Sequence, residues 1–192
     1  KDGRDIGAIK EPKVDWRKEL KSFITSTCAG KDISTWHRPN RRFIGQTYPD
    51  GRLMYMPTTY SEAVGELVIG IDTSGSIGDR ELAEFLAEVK GICELVKPAK
   101  VTLLYWDTEV AGVEEYDESN YQSLIDSTKP AGGGGTDPHC VSYYVTQMKK
   151  QPVAVVMLTD GYVGSFSTFA MPVLWAITTN VIATNGVTLP LN

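Results

Sequence analysis

Three short segments of this 192-residue chain carry carboxylate and hydroxyl side chains, and each follows a predicted strand or immediately precedes a predicted helix. The segments are Asp72-Thr73-Ser74-Gly75-Ser76, Gly135-Thr136-Asp137 and Thr159-Asp160-Gly161. Carboxylate and hydroxyl oxygens are hard ligands of the kind that small divalent cations prefer. We therefore predict a site for Mg²⁺, with Mn²⁺ and Ca²⁺ as alternatives, formed by Asp72, Ser74, Ser76, Thr136 and Asp160.

The spacing within the first two segments favours one shared site. Alternate residues of an extended segment point the same way, so Asp72, Ser74 and Ser76 can converge on one point. Four consecutive glycines at 132–135 give the backbone conformations that are closed to other residues. We expect this freedom to bring the Thr136 hydroxyl close to the first segment.

The elements that position these residues follow from the apolar runs after Val64. Almost continuously apolar runs alternate with helical patterns, which indicates βαβ units around a parallel sheet with helices on both faces. The runs cover residues 67–71, 101–106, 153–158 and 173–177. The predicted fold class is α/β, a doubly wound and mainly parallel sheet. Ligands bind such sheets outside the carboxyl ends of the strands, where Asp72 and Asp160 are expected.

Helices and edge strands complete this prediction. Apolar residues at three- and four-residue spacing over 82–96 predict a helix that Asp79 caps and Pro98 ends. A second helix is predicted to begin at Asp137-Pro138 and to end near residue 150. Residues 110–115 follow the preceding run too closely for a crossover and predict an antiparallel edge strand. Residues 187–191 predict a last edge strand, because proline lacks the N–H of an inner strand.

Residues 1–63 lack the alternation of apolar runs and helical patterns seen after Val64. We therefore predict that they form an N-terminal extension packed on a core domain of residues 64–192. A short amphipathic helix is expected from Trp16 to about Gly30. A hairpin is expected over 43–48 and 53–56, with its turn at Pro49-Asp50-Gly51.

The three oxygen-rich segments, taken in order, resemble the metal-ion-dependent adhesion site of von Willebrand factor A (VWA) domains. The shared features are DxSxS, a later threonine in a glycine-rich turn, and TDG after an apolar strand. More narrowly, the chain resembles the C-terminal VWA-like domain of bacterial and phage proteins classed as metallopeptidases and associated with MoxR-type AAA+ ATPases. This narrower resemblance covers nearly the whole chain and rests on Trp16 to Gly30, residues 38–43, Gly65-Glu-Leu-Val68 and Leu158-Thr-Asp-Gly-Tyr162.

The resemblance implies a role for each site residue. Ser74 and Ser76 are expected to bind the metal directly, and Thr136 directly or through water. Asp72 and Asp160 are expected to hold coordinated waters and to orient the hydroxyls.

The resemblance also implies a function in binding rather than in catalysis. A cation whose charge two carboxylates only balance keeps exchangeable waters, so one position can accept an Asp or Glu carboxylate from a protein partner. The expected function is that of a metal-dependent adaptor, working with a MoxR-type AAA+ ATPase.

Two alternatives to the adaptor remain open: a metal-dependent hydrolase, and the non-catalytic domain of a longer metallopeptidase. The only histidines are His37 and His139, so the chain has no HExxH zinc motif. A peptidase active site is therefore expected outside this chain.

Composition narrows the setting of the protein. A net charge of −5 argues against nucleic-acid binding, and no apolar run approaches the length of a membrane span. Three widely spaced cysteines favour a reducing, cytoplasmic location. Lys1 in place of methionine predicts a fragment of something longer. One local exception to the acidic balance is the basic segment at residues 37–42. It predicts a second partner-binding surface, comprising Trp36, Arg38, Arg41 and Arg42.

Overall fold

A computed structural model of the protein describes residues 15–28, 32–39, 41–43, 45–61, 65–73, 78–126 and 135–191. The helices of these stretches are α1 (Trp16–Cys28), α2 (Asp79–Val96) and α3 (His139–Gln147), with a 3₁₀ helix at Tyr121–Asp126. The strands of the same stretches are β1 (Asp32–Pro39), β2 (Pro57–Ser61), β3 (Glu66–Asp72), β4 (Lys100–Trp106), β5 (Val110–Tyr116), β6 (Ala154–Thr159), β7 (Val173–Ile177) and β8 (Val187–Pro190). None of these helices is long and apolar enough to cross a bilayer.

A sheet of six described strands lies at the centre of the molecule, in the order β5-β4-β3-β6-β7-β8. β3 pairs in parallel with β4 and β6, and β7 pairs in parallel with β6 and β8. β5 runs antiparallel to β4 and forms one edge, as predicted for residues 110–115. β8 forms the opposite edge, which explains how Pro190 is tolerated without a backbone N–H.

Helices cover both faces of this sheet, which confirms the predicted doubly wound α/β fold. On one face, α1 and α2 pack against alternate residues of β3, such as Leu67 and Ile69. On the other face, α3 and residues from 163 to 171 pack around Val68, Trp106 and Trp175. The strands are buried on both sides, so they read as continuous apolar runs.

The apolar stripe predicted for α2 faces the sheet. Its buried members are Leu82, Phe85, Leu86, Val89, Ile92 and Cys93. The helix ends before Lys97, which has a φ of 52°, and Pro98 prevents its continuation. Its start differs from the prediction by one residue. The N–H of Leu82 donates to the carbonyl of Gly78 at 3.0 Å, so Gly78 holds the cap position and Asp79 is the first helical residue.

α1 is part of the core although it lies in the predicted N-terminal extension. Leu20, Ile24 and Cys28 are buried in the same cluster as the apolar face of α2. The helix predicted from Trp16 is confirmed and ends at Cys28. The domain boundary between residues 63 and 64 stays a prediction.

The turn predicted at Pro49-Asp50-Gly51 is present, but its hairpin is short. The N–H of Tyr48 donates to the carbonyl of Arg52 at 2.8 Å, and Gly51 has a φ of 86°. Beyond this turn, Thr47 forms a bridge with Leu53 and the N–H of Met54 donates to the carbonyl of Gln46 at 2.8 Å, so the described pairing is shorter than the strands predicted over 43–48 and 53–56. Leu53 is 74% exposed, so this pairing has little apolar surface to bury. The described strand pair of this region is β1 with β2, which the sequence patterns do not predict.

Candidate metal centre

The first carboxylate of the predicted site lies at the carboxyl end of β3. Asp72 is the last residue of that strand, pairs with Trp106 of β4, and has a relative exposure of 0%. The following residue, Thr73, donates both its N–H and its hydroxyl to the carbonyl of Trp106, at 2.9 and 3.1 Å. Two bonds to one carbonyl fix the direction in which the chain leaves β3, with the Thr73 side chain directed towards β4.

The second carboxylate follows β6, the neighbour of β3 on its other side. Asp160 has a relative exposure of 8%. Its Oδ1 accepts a hydrogen bond from the N–H of Tyr162 at 2.8 Å, and its carbonyl accepts one from the Thr179 hydroxyl at 2.6 Å. Gly161 turns the chain with a φ of 83°, and a Cβ there would lie 2.9 Å from Cβ of Val181. On the other side of Asp160, the carbonyl of Thr159 accepts the N–H of Thr178 at 3.1 Å, so the chain after β7 holds the backbone on both sides of Asp160.

A buried hydroxyl at the end of β6 contacts the carboxylate at the end of β3. Thr159, the last residue of β6, donates its hydroxyl to Oδ2 of Asp72 at 2.8 Å. The Thr159 hydroxyl oxygen in turn accepts the N–H of Gly161 at 3.1 Å. Sequence reasoning placed Thr159 in the third segment but gave it no role. A hydroxyl residue that ends a buried strand directly before an aspartate was the available signal.

Thr136 lies beside the end of β4, the other neighbour of β3. The next residue, Asp137, donates its N–H to the carbonyl of Asp107 at 2.8 Å. The preceding Gly135 approaches Thr108 so closely that a Cβ would lie 2.3 Å from its Cγ2. Thr136 itself is half-buried. The loop that carries it is thus held against the turn after β4.

Asp72, Thr136 and Asp160 therefore lie at the carboxyl ends of three adjacent strands, or beside them, in the order β4-β3-β6. Ser74 and Ser76 lie outside the described residues. The predicted set of five metal ligands stays a prediction.

Two further aspartates at this edge have structural roles: Asp107, which follows β4, and Asp137, at the predicted start of α3. Oδ1 of Asp107 accepts the N–H groups of Thr108 and of Glu109, the latter at 3.0 Å, which closes the turn between β4 and β5. Oδ1 of Asp137 accepts the N–H of His139 at 3.0 Å at the start of α3. This backbone hydrogen bond holds the pKa of the Asp137 carboxyl below its ordinary value.

The pKa of the nearby Cys140 thiol is raised by burial and by the acidic side chains at this edge. Burial raises its pKa to about 11, and the charges of Asp137 and Asp107 contribute to the rise. Burial likewise raises the pKa of Cys93 to about 12. Thiols stay protonated at neutral pH under these conditions, so they are poor metal ligands. In the described stretches, no three His, Cys, Asp or Glu side chains are grouped to hold a metal.

The predicted basic surface is described only in part. Arg41 and Arg42 are exposed. Trp36 and Arg38 lie in β1, and their side chains fall outside the described residues. Their assignment to a partner-binding surface stays a prediction.

Comparisons with known proteins agree with this architecture. Residues 67–189 match a family described as "VWA-like domain (DUF2201)", and residues 3–60 match one described as "Putative metallopeptidase domain". An uncharacterized protein of Thermotoga maritima is 27% identical over 155 residues, which cover 81% of this chain. The aligned region spans about a third of that relative's length, 35%. Because the first match includes more than half of the chain, the protein belongs to the VWA-like domain (DUF2201) family.

Proposed function

We propose that this domain binds one Mg²⁺ ion at the carboxyl edge of its sheet and uses it to bind a protein partner through an Asp or Glu side chain. The residues proposed to hold the ion are Asp72, Ser74, Ser76, Thr136 and Asp160. The observation that carries the proposal is the pair of buried carboxylates at the ends of β3 and β6. The Thr159 hydroxyl bonds the first carboxylate and the Gly161 N–H of the turn that follows the second.

The donor chemistry fits a small hard cation. Asp72 and Asp160 are both withdrawn from water, and burying a carboxylate is costly unless charge or hydrogen bonds compensate it. The hydrogen bonds from Thr159 and Tyr162 supply part of that compensation. A dication would add an opposite charge, and the oxygen donors suit Mg²⁺, with Mn²⁺ and Ca²⁺ as the alternatives.

When bound, the ion would supply an exchangeable coordination position for one carboxylate of the partner. The residues of this chain would orient the ion and compensate its charge. In the absence of the ion, Asp72, Asp107, Asp137 and Asp160 would make this edge acidic, and it would repel the same partner.

Exposed apolar side chains support a docking role for this edge. Tyr162 directly follows the Asp160 turn and is 71% exposed, and Ile182, next to the Val181 that contacts Gly161, is 77% exposed. Large apolar groups beside a polar site are typical of protein-binding surfaces. The exposed Arg41 and Arg42 are proposed as part of a second contact, together with Trp36 and Arg38.

The proposed partner is a MoxR-type AAA+ ATPase, because the chain resembles domains associated with such ATPases. The cytoplasm is the proposed location, since Cys28, Cys93 and Cys140 are all free thiols.

Two alternatives to the adaptor follow from the same observations. Residues 3–60 match a family described as "Putative metallopeptidase domain", and the chain aligns with about a third of a longer relative. The domain could accordingly be the non-catalytic part of a longer metallopeptidase. A metal-dependent hydrolase needs a general base beside the ion, and His139 at this edge is already paired with Asp137 at 2.9 Å. The adaptor is therefore the stronger proposal.

Calorimetric titration of Mg²⁺ tests the site. We expect binding by the wild type and none by Asp72→Ala. Asp117→Ala is the matched control, because Asp117 is exposed and follows the end of β5, which pairs with the start of β4 away from the carboxyl ends of the parallel strands. Equal binding by the wild type and Asp72→Ala would end the proposal.

A second experiment separates the adaptor from the hydrolase. Purified MoxR-type ATPase is passed over immobilised domain in Mg²⁺ and in chelator, and peptide and phosphoester substrates are incubated with the metal-loaded domain. An adaptor retains the ATPase only with Mg²⁺ and releases no product. Turnover that is lost in Asp72→Ala would favour the hydrolase instead.

A further inference from the structure

The hydroxyl of Thr159, at the end of β6, contacts the Asp72 carboxylate at the end of β3. It is fully buried and forms two hydrogen bonds that leave its own strand. The Gly161 N–H can only donate, so the Thr159 oxygen accepts that bond at 3.1 Å. The hydroxyl proton is therefore available to Oδ2 of Asp72, at 2.8 Å. Each of the two bonds has one fixed direction.

We infer that Thr159 is a positioning residue of the proposed cation site, whose hydroxyl sets the orientation of the Asp72 carboxylate relative to the turn that carries Asp160. This inference rests on the proposed function. The terminal torsion of an aspartate is broad, so the carboxylate plane is poorly defined by the backbone alone. A hydrogen bond from a buried hydroxyl restricts it.

The hydroxyl oxygen of Thr159 also holds the turn after β6. Its bond to the N–H of Gly161 ties the residue after Asp160 back to the strand end. Rotation of the Thr159 side chain would therefore disturb both carboxylates together. Groups that orient metal-binding side chains typically change metal affinity about 10–100-fold when they are removed.

The chain offers a matched control for the loss of this hydroxyl. Thr102 is a buried threonine of the adjacent strand β4, and its hydroxyl has no hydrogen-bond partner among the described residues. Thr159→Val and Thr102→Val thus make the same chemical change in the same sheet. They differ in whether a hydrogen bond to Asp72 is lost.

Mg²⁺ affinity is measured by calorimetry at 20 °C for the wild type, Thr159→Val, Thr159→Ser and Thr102→Val. We expect Thr159→Val to weaken binding at least about tenfold, as for other groups that orient metal ligands. Thr159→Ser keeps the hydroxyl and should stay close to the wild type, as should Thr102→Val. Melting temperatures in chelator are recorded in parallel, because a purely structural role would lower them without changing the affinity of the folded protein.

Three outcomes would overturn the inference. These are wild-type affinity in Thr159→Val, equal losses in Thr159→Val and Thr159→Ser, and an equal loss in Thr102→Val. If Thr159→Val does not fold, Thr159→Cys replaces it, since Cys offers only a weak S–H donor. Equal affinity of the Ser and Cys variants would then reject the inference. The proposed function fails separately if the wild type binds no Mg²⁺ or if Asp72→Ala binds it normally.

Discussion

At the scale of single residues, the notable feature is how little water reaches the carboxylates of Asp72 and Asp160. A buried carboxylate is stable only where hydrogen bonds or an opposite charge replace its hydration. Thr159 donates to the first and the N–H of Tyr162 to the second. Each donor comes from the end of β6 or the turn that follows it. The geometry of that turn therefore affects the environment of both carboxylates.

Gly161 is the residue of this turn that tolerates substitution least. Its φ of 83° is unfavourable for any residue with a side chain, and a Cβ would lie 2.9 Å from Cβ of Val181. We expect Gly161→Ala to lower the free energy of unfolding by roughly 1–3 kcal/mol, from left-handed strain and steric overlap. Urea denaturation monitored by circular dichroism measures the change.

Gly164 provides the control within the same loop. It has no positive φ, and a Cβ there would meet no atom within 4 Å. Gly164→Ala should therefore stay within about 0.5 kcal/mol of the wild type, as is usual for surface substitutions. Equal effects of the two alanines would contradict the proposed strain at Gly161.

At the scale of elements, α1 is bound into the core more firmly than its position in the chain implies. Leu20 and Ile24 are fully buried against the face of the sheet that α2 also covers. We expect Ile24→Ala to destabilise the whole domain by about 2–5 kcal/mol, the usual cost of such a cavity. Lys21→Ala, at an exposed position of the same helix, is the control. If α1 were a detachable extension, Ile24→Ala would leave the unfolding of the sheet unchanged.

The packing of α2 against the sheet also predicts a dependence on alkaline pH. Burial raises the pKa of Cys93 to about 12, from an ordinary value of 9.0. The folded state therefore favours the neutral thiol. Burial of this thiol contributes fully to the free energy of unfolding below pH 9, and the contribution declines as the pH rises towards 12, because the thiol ionises more easily in the unfolded chain. Cys93→Ala removes this contribution. The difference in unfolding free energy between wild type and variant should narrow between pH 8 and pH 11, as measured by urea denaturation. A difference in unfolding free energy that stays constant over this pH range would contradict a raised pKa at Cys93.

The elements were predictable from the sequence where burial was two-sided or periodic. The runs that became β3, β4, β6 and β7 are apolar throughout because both faces are covered, and the stripe from Leu82 follows the period of a helix. The pairing of β1 with β2 was missed, because Asp32–Pro39 has no apolar alternation and is defined by its partner strand. The 3₁₀ helix at Tyr121–Asp126 was missed too, since its position depends on packing against α2.

Within the proposed site, which stays a prediction, only the strand-end positions of two residues could be predicted from the sequence. The positions of Asp72 and Asp160 at strand ends follow from the apolar runs before them. The hydrogen bond between Thr159 and Asp72 could not be predicted in this way, because these residues are 87 positions apart in the chain. Only the parallel pairing of β3 with β6 brings these two side chains together.

At the scale of the whole molecule, the proposed ion site joins segments that are distant in the sequence. Asp72, Thr136 and Asp160 lie at or beside the carboxyl ends of three adjacent strands. Each of the two hydrophobic clusters has a member next to this edge, Ile71 in one and Trp106 in the other. An ion held by all three segments would favour the state in which they are together. Unfolding would separate these segments and release the ion, so Mg²⁺ binding and the stability of the fold would be thermodynamically linked.

This linkage makes thermal unfolding a test of the complete site. At a free Mg²⁺ concentration of 100 times the dissociation constant, binding stabilises the folded state by about 2.7 kcal/mol. For a chain of this size, that corresponds to a rise in melting temperature of roughly 5–10 °C over the value in chelator. Asp117→Ala should show the full rise and Asp72→Ala should show none, while Mn²⁺ and Ca²⁺ in parallel scans rank the cations. An equal rise in Asp72→Ala would assign the stabilisation to a general effect of the salt, because that variant lacks a carboxylate on which the proposed site depends.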